Sequence, residues 1–242
     1  MCYIDELWPG GLKFIKSEDV FPIGTDAVML SAFIDAENAR KAMDIGCGGG
    51  IVSLMLAYSS SKIVIDAVDI QQAAADLTRR NAEINGLSDR VNAVCHDIRN
   101  YRSFGGGGTY DLVFANPPYF PVNSGAVSAR ESAAKAREER TCTLDELCAA
   151  ASFFTRWGGR FALVHRPERM SEVFCGMTAH GIEPKRLRFV HDKLSSPPCL
   201  ILVEGRRGGK PGLSIEQPLI IRNEDGSFTD ELLTIYHRKE AL

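Results

Sequence analysis

Residues 41–50 of the chain read KAMDIGCGGG, and this stretch decides the fold. The run 41–45 is apolar apart from its first residue and Asp44, which is typical of a buried strand. Glycines occupy four of the next five positions and lead into an apolar run, which predicts a strand, a tight loop and a helix. The loop does not have the dinucleotide-binding spacing GxGxxG, because Ile51 stands where the third glycine belongs. An NAD-dependent oxidoreductase is therefore disfavoured.

From residue 41 onward, short apolar runs alternate with longer amphipathic ones, which predicts an α/β fold with an open parallel sheet and helices on both faces. The predicted strands are 41–45, 63–70, 91–95, 111–115 and 160–165, and the predicted helices are 25–35, 50–58, 72–85, 144–157 and 230–238. Two further strands, 186–191 and 199–204, follow one another, because the SSPP sequence at 195–198 cannot build a helix between them. We expect them to form an antiparallel pair at the C-terminal edge of the sheet.

The composition bounds the class of protein. The chain has 242 residues, of which 45% are hydrophobic and 24% charged, as expected for a globular protein with one substantial core. We expect an extension over 1–40, packed on the cofactor site, and a single domain over 41–242. No apolar run approaches the roughly 20 residues of a membrane helix, and no signal peptide is visible, so we expect a cytoplasmic protein. The seven cysteines include no CxxC pair, which favours reduced thiols and no metal site.

Acidic residues end three successive predicted strands. Asp44 lies near the end of the first, Asp69 at the end of the second and Asp97 just after the third. In an open parallel sheet these positions share the carboxyl edge, where ligands bind. The carboxylate of Asp44 suits a cationic amino acid group, Asp69 can accept hydrogen bonds from two ribose hydroxyls, and Asp97 can accept one from an adenine amine. Each alone is also a common cap or turn residue, but the ordered set points to S-adenosylmethionine.

The sequence NPPY begins at Asn116, directly after an apolar run. The exocyclic amine of adenine is a poor nucleophile, because its lone pair is delocalised into the ring. The side-chain oxygen of Asn116 and the carbonyl of Pro117 can accept its two N–H groups, while the consecutive proline Pro118 fixes the backbone. The ring of Tyr119 can stack on the base. In isolation the motif is common turn punctuation, but behind a methyl-donor loop it predicts methyl transfer to an amino nitrogen.

These motifs resemble those of the class I S-adenosylmethionine-dependent methyltransferases that modify amino groups. Four further segments resemble the bacterial tRNA(Val) adenosine-37 N6-methyltransferases, namely FPIGTDAVML at 21–30, LVHRPER at 163–169, PKRLR at 184–188 and the segment 218–226. The resemblance covers nearly the whole chain. It implies a Rossmann-like sheet of seven mostly parallel strands, and direct in-line transfer of a methyl group from S-adenosylmethionine to N6 of a tRNA adenosine.

The resemblance also implies the site residues. The expected catalytic residues are Asn116, Pro117, Pro118 and Tyr119. The expected cofactor-binding residues are Gly24, Thr25, Asp26, Asp44, Gly46, Gly48, Gly50, Asp69, Ile70, Asp97, Ile98 and Asn116. No catalytic role is assigned to Arg130 or Arg137, which belong to two Ala-Arg-Glu copies. His165 and Arg166 follow a strand on the active edge, where structural, RNA-contact and catalytic roles stay open.

The expected macromolecular partner is tRNA, bound by a monomer. The net charge of −3 does not indicate a nucleic-acid binder, but residues 183–210 hold seven basic and three acidic side chains, a local charge of +4. Such a cluster is most often a solvated surface. By the resemblance, it supplies candidates for contacts with the tRNA backbone, namely Lys185, Arg186, Arg188, Arg206 and Arg207.

Three kinds of alternative function are compatible with these motifs. A protein glutamine N5-methyltransferase uses the same NPPY motif on an amide nitrogen. The members of that family resemble one another in carrying a helical substrate-docking domain before the sheet, and the 40 residues that precede the sheet here are too few for such a domain. Methylation of DNA adenine or rRNA guanine is chemically possible, although no inserted recognition domain is visible. A non-catalytic RNA-binding protein on a methyltransferase fold is the alternative from another class. The intact Asn116 and Asp44 argue against it.

Overall fold

The computed structural model describes residues 3–16, 24–117 and 142–236. Within these ranges, the helices are α1 (Thr25–Phe33), α2 (Ile51–Ser59), α3 (Gln72–Ile84), α4 (Tyr101–Phe104), α5 (Leu144–Phe154), α6 (Met170–Ala179) and α7 (Asp230–Ile235). The strands are β1 (Tyr3–Glu6), β2 (Lys13–Lys16), β3 (Lys41–Ile45), β4 (Val64–Asp69), β5 (Val91–Cys95), β6 (Tyr110–Ala115), β7 (Thr155–His165), β8 (Ile182–His191), β9 (Pro198–Arg207), β10 (Ser214–Ile215) and β11 (Leu219–Ile220).

Seven long strands form the main sheet in the order β5-β4-β3-β6-β7-β9-β8, which confirms the predicted architecture. All of them run parallel except β9, which is antiparallel to both β7 and β8. The predicted antiparallel pair is therefore present, with β9 in the interior and β8 outside it. The two-residue strands β10 and β11 pair with β8 and bring the described strands of this sheet to nine.

The sheet separates two apolar cores, because side chains alternate between the faces of a strand. In β6, Leu112 and Phe114 belong to the core beneath α1, α2 and α3, whereas Val113 and Ala115 belong to the core beneath α5 and α6. All four are fully buried. This burial on both faces explains why the central strands appear in the sequence as continuous apolar runs, and it confirms helices on both faces.

The sequence pattern did not predict the helices α4 and α6, and two further regions differ from the prediction. The helix expected over 144–157 ends at Phe154, and β7 begins at Thr155. Thr155 pairs with Tyr110 of β6, and the register then shifts before Arg160, in a bulge that includes Gly158 at a φ of 75°. The first 16 residues also contain the hairpin β1–β2, which the sequence pattern did not predict. In both regions, the pairing of strands determined the structure and overrode the local sequence pattern.

The hairpin β1–β2 docks on α3. The side-chain amide of Asn85 accepts a hydrogen bond from the Lys13 nitrogen (2.9 Å) and donates one to the Lys13 carbonyl (2.7 Å). Trp8, beside the hairpin, packs edge-on against the ring of Tyr58 at the end of α2, with ring centroids 5.6 Å apart. The described part of the extension thus lies against helices of the main domain, while its packing on a bound cofactor remains a prediction.

Candidate active site

The central strands deliver three predicted site residues to one edge of the sheet. Ile45 of β3 pairs with Val68 of β4 on one side and with Ala115 of β6 on the other. The next residue along each strand therefore emerges at the same level, and these three residues are Gly46, Asp69 and Asn116. Because the strands are parallel, the glycine loop and the start of the NPPY motif lie side by side at the carboxyl edge.

The glycine loop, residues 46–50, has the left-handed backbone that glycine alone adopts without strain. Gly46, Gly48 and Gly50 have φ values of 75°, 55° and 79°. A β-carbon at Gly46 or Gly48 would meet no atom within 4 Å, so the loop borders open space at these positions. A β-carbon at Gly50 would come within 2.6 Å of the Thr78 side chain, so this glycine is needed for packing against α3.

Asp44 is a buried carboxylate without a cationic partner among the described residues. Its relative exposure is 2%, and its Oδ2 accepts a hydrogen bond from Ser53 Oγ of α2 at 2.7 Å. Burial raises the pKa of Asp44 to about 7, against the opposing effect of the Ser53 hydrogen bond. A cation placed beside this carboxylate would offset the cost of its burial.

Asp69, at the end of β4, holds the loop from the other side. Its two carboxylate oxygens accept hydrogen bonds from the backbone nitrogens of Gly48 and Gln71, each at 2.9 Å. Burial raises the pKa of Asp69, while these backbone hydrogen bonds lower it. The side chain therefore fixes the position of Gly48 and retains lone pairs for a ligand.

Asp97 differs from the other two acids because it forms an ion pair. Its side chain caps a short 3₁₀ turn by accepting from the Arg99 nitrogen (3.0 Å), and the Arg99 guanidinium contacts both of its oxygens, the shorter contact being 2.6 Å. The side-chain hydrogen bond from Arg99 lowers the pKa of Asp97. The neighbouring candidates differ in exposure, since Ile70 is exposed and Ile98 is buried. The predicted adenine acceptor is thus already bound to a cation in this structure.

The NPPY motif starts at the end of β6, where Asn116 and Pro117 are half-buried. The other two residues of the motif, Pro118 and Tyr119, lie outside the described residues, as do Arg130 and Arg137. Gly24 precedes α1, and Asp26 in the first turn of that helix accepts a hydrogen bond from the Ala27 nitrogen at 2.9 Å. Thr25 is exposed.

His165 ends β7, next to β6 at the carboxyl edge. Its relative exposure is 1%, and its Nδ1 accepts a hydrogen bond from the Arg166 nitrogen at 2.8 Å. Burial lowers the pKa of His165 to about 4. The imidazole is therefore neutral at physiological pH, with its remaining proton on Nε2, which favours a structural role over that of a general acid.

The basic residues of the C-terminal hairpin fall into two groups. Arg186 donates from Nε to Glu216 (2.6 Å) and from Nη1 to the buried Glu204 (3.3 Å). Arg188 pairs with a carboxylate of α7, Glu231. These two guanidinium groups are neutralised by partners within the fold, so their interactions are structural.

The other group keeps its positive charge. Arg206, Arg207 and Lys185 donate to the backbone carbonyls of Gly158, Thr155 and Lys210, and within the described ranges none of the three pairs with a carboxylate. Trp157, which is 75% exposed, lies beside them, since a β-carbon on Gly208 would come within 2.3 Å of its ring. Sequence reasoning did not identify this exposed aromatic ring, because it assigned residue 157 to a helix.

Sequence reasoning also missed the residues that support the site. Ser53 bonds to Asp44, Thr78 and Asn81 bond to the glycine loop, and Arg99 bonds to Asp97. The signal for two of them was present, because Thr78 and Asn81 are polar residues within the otherwise apolar buried face of α3. Polar groups in such a place need hydrogen-bond partners.

Two features are absent from the described ranges, a membrane-spanning helix and a cluster of metal ligands. No helix there has the length and apolar character needed to cross a membrane. No group of three or more His, Cys, Asp or Glu side chains in these ranges could hold a metal ion.

Comparison with known proteins adds to this geometry. The family model for the methyltransferase small domain matches residues 13–168. The chain is 34% identical over 213 residues to the tRNA1(Val) (adenine(37)-N6)-methyltransferase of Serratia proteamaculans, covering 86% of this chain and 79% of that protein. It is 30% identical to the protein of the same name from Tolumonas auensis, covering 88% and 87% of the two chains.

The fold also matches solved structures. A predicted O-methyltransferase from Agrobacterium tumefaciens superposes with a TM-score of 0.73 at 19% identity, covering 89% of this chain and 97% of that one. A T. thermophilus 16S rRNA methyltransferase, solved with AdoMet and guanosine, superposes with a TM-score of 0.60 at 15% identity, covering 86% of this chain and 50% of that one. At these identities the likeness shows the fold alone.

Proposed function

The chain belongs to the methyltransferase small domain family, and from this premise we propose that it methylates N6 of an adenosine in tRNA, with S-adenosylmethionine as the methyl donor. The curated relatives are named for adenine 37 of tRNA1(Val), and the same nucleotide is proposed here. The observation that supports this most strongly is the register that sets Asn116 beside Gly46. A substrate amine at the first and a methyl donor at the second would be neighbours. A tRNA substrate implies that the reaction takes place in the cytoplasm.

The residues around the glycine loop fit the methyl donor. The carboxylate of Asp44 is buried, has no cationic partner in the described ranges and matches a cationic amino acid group, while the open space beside Gly46 and Gly48 allows close approach to the backbone. Asp69 retains lone pairs for ribose hydroxyls. S-adenosylmethionine supplies an electrophilic methyl group on a sulfonium. The predicted role of Asp97 requires that it accept a further hydrogen bond while Arg99 stays bound, or that Arg99 moves aside.

Asn116 supplies the chemistry on the substrate side. Its side-chain oxygen accepts one N–H of the adenine amine and the carbonyl of Pro117 accepts the other, which directs the nitrogen lone pair towards the methyl group. Proline residues hold the carbonyl in place before substrate arrives, so no reorganisation is needed. The proposed partner in stacking is Tyr119, and the base must leave its stack to reach the site.

The basic side chains that pair with no carboxylate in the described ranges are proposed to contact the tRNA backbone. Lys185, Arg206 and Arg207 keep their charge, and the exposed ring of Trp157 beside them can stack on an unpaired base. In the register of the sheet, Arg206 faces Arg160 of β7, four residues before the level of Asn116. At about 3.3 Å per residue that is about 13 Å along the strands, a distance that one RNA molecule can span.

The test is methyl incorporation from labelled S-adenosylmethionine into total tRNA, followed by nucleoside analysis. We expect labelled N6-methyladenosine, and we expect Asn116→Ala to lower kcat by about 10²–10³-fold without weakening cofactor binding, because it removes one preorganised acceptor. Asn92→Ala is the matched control, since Asn92 is an exposed asparagine on β5 whose side chain bonds to Asp66. Label in protein instead of tRNA would identify a glutamine methyltransferase. Cofactor binding without label in either fraction would identify a non-catalytic binding protein.

A further inference from the structure

Two polar side chains of α3 hold the glycine loop from behind. Thr78 Oγ1 donates a hydrogen bond to the Gly48 carbonyl, and Asn81 Nδ2 donates one to the Gly49 carbonyl, each at 2.9 Å. Both residues are buried, with relative exposures of 0% and 1%. Neither side chain borders the open space beside Gly46, so they act on the loop and not on a ligand.

Asn81 has a second partner that Thr78 lacks. Its Oδ1 accepts a hydrogen bond from the backbone nitrogen of Ile15 in β2 at 2.8 Å. One amide group therefore connects three segments that are far apart in the sequence, namely the N-terminal hairpin, α3 and the glycine loop. Both ends of the amide are used, and the Ile15 nitrogen and the Gly49 carbonyl are both satisfied by it.

The glycine loop depends on such contacts because its sequence provides little rigidity. Glycine loses more conformational freedom on ordering than any other residue, and the loop contains four glycines in five positions. Asp69 fixes the Gly48 nitrogen from the β4 side. Without the bonds from α3 the loop would sample more conformations, and a ligand would lose affinity by having to order it.

We propose that Asn81 is a positioning residue for cofactor binding, which fixes the glycine loop and joins it to the hairpin β1–β2. This inference rests on the proposed function, because it assumes that the loop binds S-adenosylmethionine. Asn81 does not touch the reacting atoms. It determines cofactor affinity through the backbone of Gly49.

Asn85, one turn further along α3, is a matched control. It is also an asparagine whose amide makes two hydrogen bonds to β2, both to Lys13, but it makes no contact with the glycine loop. Asn85→Ala therefore loosens the same hairpin without releasing Gly49. Thr78→Val is a third variant, which keeps the shape of the side chain and removes only its hydroxyl.

The experiment measures the Kd for S-adenosylmethionine by calorimetric titration of the full chain, together with Tm and with kcat at saturating cofactor and tRNA. We expect Asn81→Ala to raise the Kd about tenfold, equivalent to about 1.4 kcal/mol, and Thr78→Val to raise it about threefold. We expect kcat to stay within about twofold of the original protein, because the catalytic residues are unchanged. Asn85→Ala should lower Tm yet leave the Kd within about twofold.

Two results would overturn the proposal. A Kd for Asn81→Ala within about twofold of the original value would show that the loop is ordered without this amide. An equal rise in Kd for Asn85→Ala would show that general loosening of the hairpin, and not the bond to Gly49, sets the affinity. If Asn81→Ala does not fold, Thr78→Val decides the role of the α3 contacts. Absence of cofactor binding by the original protein would instead contradict the proposed function.

Discussion

Two parts of the main sheet, the central strands and β9, carry buried charge in different ways. At the carboxyl edge, Asp44 and Asp69 are buried, form no ion pair with a described residue and have raised pKa values. In β9, at the same level as Asp44, Glu204 is similarly buried but lies between Arg160 and Arg186. A buried charge that the fold neutralises belongs to its architecture, whereas one that the fold leaves unpaired is prepared for a ligand.

The same distinction separates the cations of the C-terminal hairpin. Arg186 is bound to two carboxylates, while Arg206 and Arg207 donate to carbonyl oxygens and pair with no carboxylate of the described ranges. All three were candidates for tRNA contact in the sequence. This comparison predicts that substitution of Arg186 will affect folding, and that substitution of Arg206 or Arg207 will affect RNA binding.

The largest effect is expected from Arg186→Met. This change leaves the buried Glu204 with Arg160 as its remaining partner and removes the contact with Glu216. We expect the free energy of unfolding to fall by about 2 kcal/mol, less than for a fully buried pair because the Arg186 side chain is 29% exposed. Denaturant unfolding measures this, and a loss under about 0.5 kcal/mol would contradict a structural role. The affinity of the folded variant for tRNA should show an unchanged salt dependence.

A pH-dependent effect of about tenfold is expected at the carboxyl edge. The pKa of Asp44 is about 7, so a cationic ligand must expel a proton from this carboxyl when it binds below that pH. We expect the Kd for S-adenosylhomocysteine, which has the same amino acid moiety, to rise about tenfold between pH 8 and pH 6. Ser53→Ala should raise the pKa further and move the profile to higher pH. Asp44→Asn should flatten this dependence, and a profile that Asp44→Asn leaves unchanged would assign the titration elsewhere.

The Asp44 carboxyl also affects the protein without ligand. Its pKa in the folded state is raised from 3.8 to about 7, so folding favours the protonated form. The contribution to stability is therefore fully present below about pH 4 and is lost as the pH rises to about 7. A bound cation would restore part of this loss.

The smallest effect is expected from Arg206→Met and Arg207→Met. Each should raise the KM for tRNA only about threefold at moderate salt, and should reduce the slope of log affinity against log salt by about 1, because one phosphate contact is lost. Arg188→Met is the control, since Arg188 is paired with Glu231. If all three variants change the slope equally, the division into structural and RNA-binding cations is wrong.

The sequence predicted the parts of the fold in which local pattern and burial agree. The bounds of β3 and β5 were predicted to the residue, because short apolar runs followed by acids or glycines mark buried parallel strands. The predicted end of α5 was wrong, because Thr155, the first residue of β7, would fit the last turn of a helix as well as a strand. The pairing of Thr155 with Tyr110, 45 residues away, places Thr155 in a strand, and such pairing leaves no signal in the local sequence.

The candidate site was predicted only in part, for the same reason. Parallel topology transfers successive strand ends to one edge, so the placement of Gly46, Asp69 and Asn116 followed from their order in the chain. The contacts of Ser53 and Asn81 depend on how helices rotate against the sheet, which no spacing reveals. Compensation of the Arg186 charge likewise depends on Glu204 and Glu216, which are remote from it in sequence.

The reversed direction of β9 has a consequence for how this enzyme family can diversify. Because β9 runs against β8, the connection between them, residues 192–197, lies at the carboxyl edge of the sheet. This connection belongs to neither the glycine loop nor the strands that carry Asp44 and Asp69. Its length and sequence can therefore change without disturbing the residues proposed to hold the methyl donor.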